Sequence, residues 1–319
     1  MKVFFQTDTL NYRGSTVAVS DYARYNQEIL GNESIICYDM SRPYYYDGGT
    51  EPEVLENLLR EFQVVGYEKI SDLQRLVDQE GVELAYFSRC ERGWIPDNCR
   101  AVAHSVFQVY EPHADVYAYI SEWLANEMNA RHNDSLPFVP HIVNLPEATG
   151  DLKEELAIKP GQTVVGRIGG LATFDLPFVK QAIINLLNQR DDFVFVFAGT
   201  QKWIDHANVR FLPEFHNLQR KANFFNTCDA TIHARSNGES FGLAVAESLF
   251  MNKPVLSWAG GGDQNHTFML RGADTIYTHE NFADKLLNIR DYITAEDWRL
   301  RVAEFAPERV MAKFKEVFF

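Results

Sequence analysis

The chain has 319 residues, 46% of them hydrophobic, and a formal net charge of −14 at pH 7. This length favours two domains. A chain this acidic is a poor candidate for binding nucleic acid by bulk electrostatic attraction. No apolar stretch approaches the roughly 20 residues of a membrane helix, so we expect no transmembrane segment.

The N-terminus and the cysteines indicate the compartment and the absence of a zinc site. MKVFFQTDTL (1–10) predicts a first strand rather than a signal peptide. None of the cysteines forms a C-x-x-C pair or lies at zinc-ligand spacing; they are Cys37, Cys90, Cys99 and Cys228. We therefore expect reduced thiols in a cytoplasmic protein.

In the first half, apolar strands alternate with helical patterns. Strands are predicted at 1–8, 34–40, 82–90, 99–107 and 116–121, and helices at 17–30, 71–81 and 121–131. Ser121 is the expected N-cap of the last helix. SRPYYYDGGTEPE (41–53) is turn-rich and predicts an exposed loop, with its three tyrosines as a less favoured acceptor platform.

The second half alternates more clearly. Apolar runs at 163–170, 192–200, 228–235 and 252–262 predict strands, with a short extended piece at 209–215 and helices at 176–190 and 216–227. The tail, 294–319, is helical and is expected to split at Pro307. Strands alternating with helices predict α/β domains with parallel sheets covered on both faces. We place the domain boundary near LPEATGDLKEEL (145–156), where the pattern breaks and charge rises.

The stretch SNGESFGLAVAE (236–247) combines two acids with a glycine turn. Glu239 and Glu247 lie eight positions apart, and Gly242 allows the chain to turn into a helix from about Phe241. Amides at a helix start favour an anion, and carboxylates accept hydrogen bonds from paired sugar hydroxyls. Acids near a helix start can also stabilise the helix dipole without any ligand.

These segments resemble a known family. Residues 209–262, with the E-x7-E spacing, and GRIGG (166–170) resemble retaining glycosyltransferases of the GT-B fold, especially glycosyltransferase family 4. The resemblance implies an α/β fold with two Rossmann-like, doubly wound parallel-sheet domains facing a central cleft. Their expected limits are 1–147 on the acceptor side and 148–300 on the donor side, with 301–319 crossing back as a helix.

The resemblance also implies a donor site. Glu247 would bind ribose hydroxyls, Glu239 would contact the donor sugar, and Arg167 would neutralise the diphosphate. Backbone amides would contribute at Ser240, Phe241, Gly242 and Leu243. The expected donor is a UDP- or GDP-hexose and the acceptor a glycan or another hydroxyl compound. Neither a metal nor a cofactor is expected, since preorganised cations and amides can stabilise the leaving diphosphate.

One position departs from the family. A Lys usually follows the Arg by five or six residues, but Thr173, Phe174 and Asp175 stand there, and the first lysine after Arg167 is Lys180. Lys180 is therefore a candidate substitute.

The N-terminal half supplies weaker candidates. DTLNYRGST (8–16) resembles the family's glycine-bearing loop near the diphosphate, with Arg13 and Gly14 as candidate contacts. His104 ends a strand-like run and is a candidate acceptor-side residue, although lone histidines are more often partly buried structural residues.

Two alternatives stay open. The first is another enzyme on this fold, such as a nucleotide-sugar epimerase or a phosphorylase. The second is a protein that binds nucleotide sugars without turnover. The sequence leaves the donor, the acceptor and the oligomeric state open.

Overall fold

The computed structural model describes residues 1–41, 49–89, 92–215 and 217–319. The chain forms two compact units: unit 1 is Met1–Ile142 with Phe305–Phe319, and unit 2 is Val143–Glu304. The three adjacent tyrosines of the predicted 41–53 loop and Cys90 lie outside the described residues. Among the described residues, no helix combines the length and apolar character needed to cross a membrane.

Unit 1 contains a parallel sheet with the strand order β3-β2-β1-β4-β5-β6. Its strands are β1 Lys2–Thr7, β2 Glu33–Asp39, β3 Gln63–Tyr67, β4 Leu84–Ser88, β5 Arg100–Ser105 and β6 Val116–Tyr119. Its first helices are α1 Gly14–Glu28, α2 Pro52–Glu61, α3 Ser71–Glu80 and α4 Glu122–His132.

Unit 2 contains a second parallel sheet, with the order β14-β12-β10-β7-β8-β9, and a two-stranded β11-β13 pair. Its strands are β7 Thr163–Ile168, β8 Phe193–Ala198, β9 Val209–Leu212, β10 Ala230–His233, β11 Gly238–Glu239, β12 Val255–Trp258, β13 Asp263–Gln264 and β14 Ile276–Tyr277. Its helices are α5 Pro177–Leu187, α6 Leu218–Thr227, α7 Leu243–Phe250, α8 Asn265–Met269 and α9 Phe282–Leu287, with 3₁₀ turns at Ile289–Tyr292 and Trp298–Phe305. The C-terminal helix α10, Pro307–Phe318, belongs to unit 1.

Both sheets are covered by helices on both faces. Because adjacent residues of a strand point to opposite faces, each strand contributes side chains to two hydrophobic cores. In unit 1, Phe5 packs with Tyr22 of α1 and Phe314 of α10, whereas Phe4 packs with Leu73 of α3 on the other face. In unit 2, one face of the sheet packs against α5 and α9 and the other against α6.

The structure confirms the predicted strand–helix alternation and the split at Pro307. It also confirms the N-cap at Ser121, whose hydroxyl accepts a hydrogen bond from the Leu124 amide at 3.2 Å. The prediction that helix α7 begins at Phe241 was wrong by two residues, because Gly242 adopts φ 91° and is its N-cap. The sequence analysis also missed α2 and β3.

Candidate functional site

The site lies where the strand order of unit 2 reverses. The chain leaves β7 for β8 on one side of the sheet and returns as β10 on the other side. In open α/β sheets, a ligand crevice forms beyond the carboxyl ends of strands at this switch point. Here those ends carry Arg167 and Gly169 on the β7 side and Arg235 on the β10 side.

Glycines allow two backbone segments to pack closely beside this crevice. Strand β11 pairs with β13 through Gly238 and Asp263. Gly238 has φ 74° and Gly261 φ 105°, a region that favours glycine. A Cβ atom at position 238 would collide with the carbonyl oxygen of Asp263. The loop that carries Glu239 is therefore held by backbone packing that requires glycine.

Helix α7 begins beside this loop without a side-chain cap among the described residues. The first amides of a helix have no carbonyl partner within it and favour a negative charge. Of the expected amide donors, Gly242 is the N-cap and Leu243 is the first helical residue. Phe241 is buried outside the helix, and its carbonyl accepts a 2.7 Å hydrogen bond from Asn265 Nδ2. Ser240 lies between Glu239 and Phe241 in this turn.

Glu239 is held from several directions. Its Oε2 accepts a 2.9 Å hydrogen bond from Arg235 Nη1, and its Oε1 lies 3.6 Å from Nε2 of His233. Its backbone amide donates to His266 Nδ1 at 3.2 Å. Burial alone would raise the pKa of Glu239, but the facing His233 and Arg235 outweigh burial and lower it. The carboxylate is therefore ionised at neutral pH.

Two buried histidines, His233 and His266, lie next to Glu239, and their ring centroids are 4.3 Å apart. His266 Nδ1 accepts from the Glu239 amide, so the proton is on Nε2, which donates to the Trp258 carbonyl at 2.8 Å. Burial, with a further contribution from His233, lowers the pKa of His266 to about 3. His233 contacts Ser257 Oγ at 3.3 Å through Nδ1. Its buried Nε2 has no hydrogen-bond partner among the described residues.

Glu247 lies on α7 and is only 5% exposed. Its carboxylate forms an ion pair with Lys221 of α6. Since an unpaired buried charge is strongly destabilising, Lys221 stabilises an ionised carboxylate within unit 2. This arrangement differs from the solvated position that is usual for a glutamate on a helix surface.

Arg167 is 4% exposed and its terminal nitrogens bond to the protein. Nη1 donates to the Gly199 carbonyl at 3.2 Å and to Thr200 Oγ1 at 2.5 Å. Nη2 donates to the Gly170 carbonyl at 3.2 Å and to Thr173 Oγ1 at 2.5 Å. Burial lowers the pKa of Arg167 to about 10, so it is charged at neutral pH. Arg167 thus links the loops that follow β7 and β8.

The residues in place of the family's lysine also make internal contacts. Asp175 accepts hydrogen bonds from the Ser236 amide at 2.7 Å and from its hydroxyl at 2.6 Å. These bonds join the loop after β7 to the loop after β10. Lys180 Nζ lies 5.9 Å from the ring centroid of Phe174 and 5.8 Å from that of Trp203, at cation–π distance.

The candidates in unit 1 occupy contrasting positions. Arg13 is exposed and precedes α1, and Gly14 is the first residue of that helix. His104 has no exposed surface. Its Nδ1 lies 2.7 Å from the Tyr86 hydroxyl and its Nε2 3.1 Å from the Tyr119 carbonyl. The expectation that His104 points to an acceptor is therefore corrected: its ring is a fully bonded part of the core.

Sequence reasoning missed several residues that surround the two acids. Lys221 and His266 approach from other elements and are distant in sequence from the acids they contact. Arg235 had a local signal, since it stands four positions before Glu239 at the end of a strand. In the part of the chain that the structure describes, no cluster of three or more His, Cys, Asp or Glu residues suits a metal ion.

Comparisons with known proteins identify the fold. No protein-family model matches the sequence, and no curated protein is significantly similar to it. A glycosyltransferase from Rickettsia africae ESF-5 has a TM-score of 0.71 at 12% identity, over 99% of this chain and 97% of its own. Anabaena HepE in complex with UDP-glucose gives 0.72 at 14%, over 99% and 98%. A variant of S. aureus TarM in complex with Fondaparinux, alpha-GlcNAc-glycerol and UDP gives 0.69 at 9%, over 99% of both chains.

These structural similarities extend over nearly the whole chain, although the sequence identities are low. Together with the two parallel six-stranded sheets of the described residues, they show that the protein has the α/β fold of GT-B glycosyltransferases. Identities of this size establish the fold, whereas function has to be argued from the residues of the site.

Proposed function

We propose that the protein is a retaining glycosyltransferase. It moves a hexose-type sugar from a UDP- or GDP-sugar to a hydroxyl acceptor such as a glycan, without a metal ion. The observation that carries the proposal is the arrangement at the carboxyl end of β10. Two acids held by basic side chains, Glu239 and Glu247, lie on either side of the start of α7 in the sequence, beside the switch point of unit 2.

The electrostatics of the arrangement fit a nucleotide sugar. The start of α7 is favourable for phosphate oxygens, and Arg235, which is paired with Glu239, offers hydrogen-bond donors at the carboxyl end of β10. Carboxylates accept hydrogen bonds from paired hydroxyls, which suits Glu247 to the ribose and Glu239 to the sugar. HepE, which shares the fold, was crystallised with UDP-glucose, so UDP-sugars are the first donors to test.

The proposed chemistry uses these positions. As the bond between the anomeric carbon and the diphosphate oxygen breaks, negative charge grows on the diphosphate and positive charge on the sugar. Fixed amides and cations stabilise the first of these charges without reorganisation. The acceptor hydroxyl attacks from the face that the diphosphate leaves, and its proton passes to the departing phosphate.

A thermal-shift screen with UDP, GDP, ADP and their hexose conjugates tests the donor site. We expect one nucleotide family to raise the melting temperature of the wild type. Binding at a hundredfold excess over Kd adds about 2.7 kcal/mol to the stability of the folded state. Glu247→Gln should lose most of this shift, since its amide accepts ribose hydroxyls less strongly than a carboxylate.

Glu154→Gln is a matched control, because Glu154 is an exposed acid of the same unit. It should keep the full shift. The donor-site proposal fails if no nucleotide shifts the wild type, or if Glu247→Gln responds as strongly as the wild type does.

One observation favours a second function, binding of nucleotide sugars without turnover. Arg167, expected to neutralise the diphosphate, instead donates two hydrogen bonds from each of its terminal nitrogens to protein acceptors. A protein of that kind would show the thermal shift but would release no sugar from the donor. A working transferase should slowly transfer the sugar to water, and the α-anomer of the sugar should appear first in the NMR spectrum.

A further inference from the structure

Two arginines flank the switch-point crevice of unit 2. Arg167 is the fifth residue of β7, and Arg235 is the second residue after β10, which pairs with β7. Arg167 lies close enough to Glu239, Asp175 and Arg235 for each of these charges to affect its pKa. The crevice therefore holds two cations and two acids, and the two cations differ in how they are bonded.

We infer that Arg235 binds the diphosphate of the donor, and that Arg167 is a positioning residue that shapes the crevice around it. The inference rests on the proposed function and names the residue that holds the charged part of the donor. Four features carry it: the bonding of Arg167, the bonding of Arg235, the start of α7 and the position of His233.

Arg167 has no donor to spare at its terminal nitrogens. Each of its two terminal nitrogens makes two hydrogen bonds to the protein, and the residue is 4% exposed. To contact a phosphate, it would have to break bonds that join the loops after β7 and β8. Its bonds therefore hold Gly170, Thr173 and Thr200 in place.

Arg235 has donors to spare. Its side chain is 35% exposed, and Nη1 donates to Glu239 Oε2 at 2.9 Å. Among the described residues, its Nε and Nη2 have no protein acceptor. A guanidinium offers a planar fork that matches the oxygens of a phosphate, so these donors suit a bidentate contact.

The surroundings favour an anion at this place. Glu239, which Arg235 contacts, comes three residues before the uncapped N-cap Gly242 of α7. The amides that begin this helix favour a negative charge within a few residues of the carboxylate that Arg235 contacts. A phosphate there would meet both backbone and guanidinium donors.

His233 explains how Arg235 can leave Glu239 at low cost. Its buried Nε2 finds no hydrogen-bond partner in the part of the chain that the structure describes, and it lies 3.6 Å from Glu239 Oε1, just beyond hydrogen-bond distance. A small movement of the carboxylate completes this bond. When Arg235 turns to a phosphate, Glu239 therefore keeps a partner, and an unsatisfied nitrogen gains one.

Calorimetric titration with UDP and with uridine, which lacks phosphates, tests the inference. Arg235→Gln should weaken UDP binding about 10- to 100-fold, the loss of a charge-assisted hydrogen-bonded contact, and leave uridine binding unchanged. The UDP affinity of Arg235→Lys should lie between those of the wild type and Arg235→Gln, because lysine keeps the positive charge but lacks the paired donors of a guanidinium. Arg299→Gln, at an exposed arginine paired with Asp297, should behave as the wild type.

A second variant separates direct binding from the pairing with Glu239. Glu239→Gln leaves Arg235 in place and removes a negative charge, so its UDP affinity should equal or exceed that of the wild type. The inference is overturned if Arg235→Gln binds UDP as the wild type does, or if it loses uridine binding equally. If the wild type binds neither UDP nor GDP, the proposed function fails, and the inference fails with it.

Discussion

Each unit buries a histidine at the end of a strand of its parallel sheet, and the two histidines differ in their partners. In unit 1, His104 has both ring nitrogens bonded, to Tyr86 and to the carbonyl of Tyr119. In unit 2, one ring nitrogen of His233 faces Glu239 and has no hydrogen-bond partner within the described ranges. A buried polar group with all its partners rigidifies a core, whereas one that lacks a partner needs an explanation.

The surroundings of the two histidines differ in the same way. The His104 ring lies among Tyr22, Tyr86, His141 and Phe318, with ring centroids between 5.4 and 6.2 Å away. This packing leaves the His104 ring without exposed surface. His233 has the His266 ring 4.3 Å away, and its Nε2 faces the Glu239 carboxylate, which is paired with the partly exposed Arg235. The second region is where we propose that the donor binds.

The largest expected effect is acid destabilisation of the unit 1 core. Burial lowers the pKa of His104 to about 4 and that of His141 to about 3. Both values lie below the unfolded pKa of about 6.5, so the unfolded state takes up protons first as pH falls. The stabilising contribution of each neutral ring is complete above pH 6.5 and is lost as pH falls below it. At pH 5 we expect a loss of about 2 kcal/mol per histidine.

Urea unfolding at pH 7.5 and pH 5 measures this loss. His104→Gln should reduce the difference in unfolding free energy between the two pH values by about 2 kcal/mol. His132→Gln, at an exposed position of α4, should keep the wild-type difference. An unchanged pH dependence in His104→Gln would contradict the view that His104 is a neutral core residue.

A smaller loss of unfolding free energy is expected when a single hydroxyl is removed from each of the two regions. Tyr86→Phe removes the 2.7 Å partner of His104 and leaves a buried nitrogen unsatisfied, at a cost of about 1–3 kcal/mol. Ser257→Ala removes the longer, 3.3 Å contact to His233 and should cost about 1 kcal/mol or less. Unfolding at pH 7.5 gives both values, with the exposed hydroxyl of Tyr12→Phe as the control. Equal losses in the two variants would remove the contrast between the regions.

Much of the fold was predictable, because hydrophobic periodicity is a local property. Strands such as β8, Phe193–Ala198, are continuous apolar runs, and Pro307 marks a helix start by itself. Helix α2 and strand β3 were missed because they follow a turn-rich segment, and β3 is an edge strand whose residues are mostly half-buried. The exact start of α7 depended on the positive φ of Gly242, which the sequence allows but does not require.

The site was only partly predictable, because burial and pairing depend on distant residues. The two acids and their glycine turn are local and were found. The ion pair of Glu247 with Lys221 joins residues 26 positions apart, and the contact between Tyr86 and His104 joins residues 18 positions apart. No spacing rule distinguishes a bonded core histidine from an exposed one. His104 was therefore misassigned, and Arg235 was overlooked.

Hydrogen exchange measured by mass spectrometry, with and without saturating UDP, tests the central contrast most directly. Bound nucleotide should slow exchange in the peptides covering residues 235–247, which include Arg235 and the start of α7. Peptides covering β5, Arg100–Ser105, should exchange as they do in the free protein. Protection of β5 with no change at residues 235–247 would contradict the account, because it would place the ligand in the region assigned to packing.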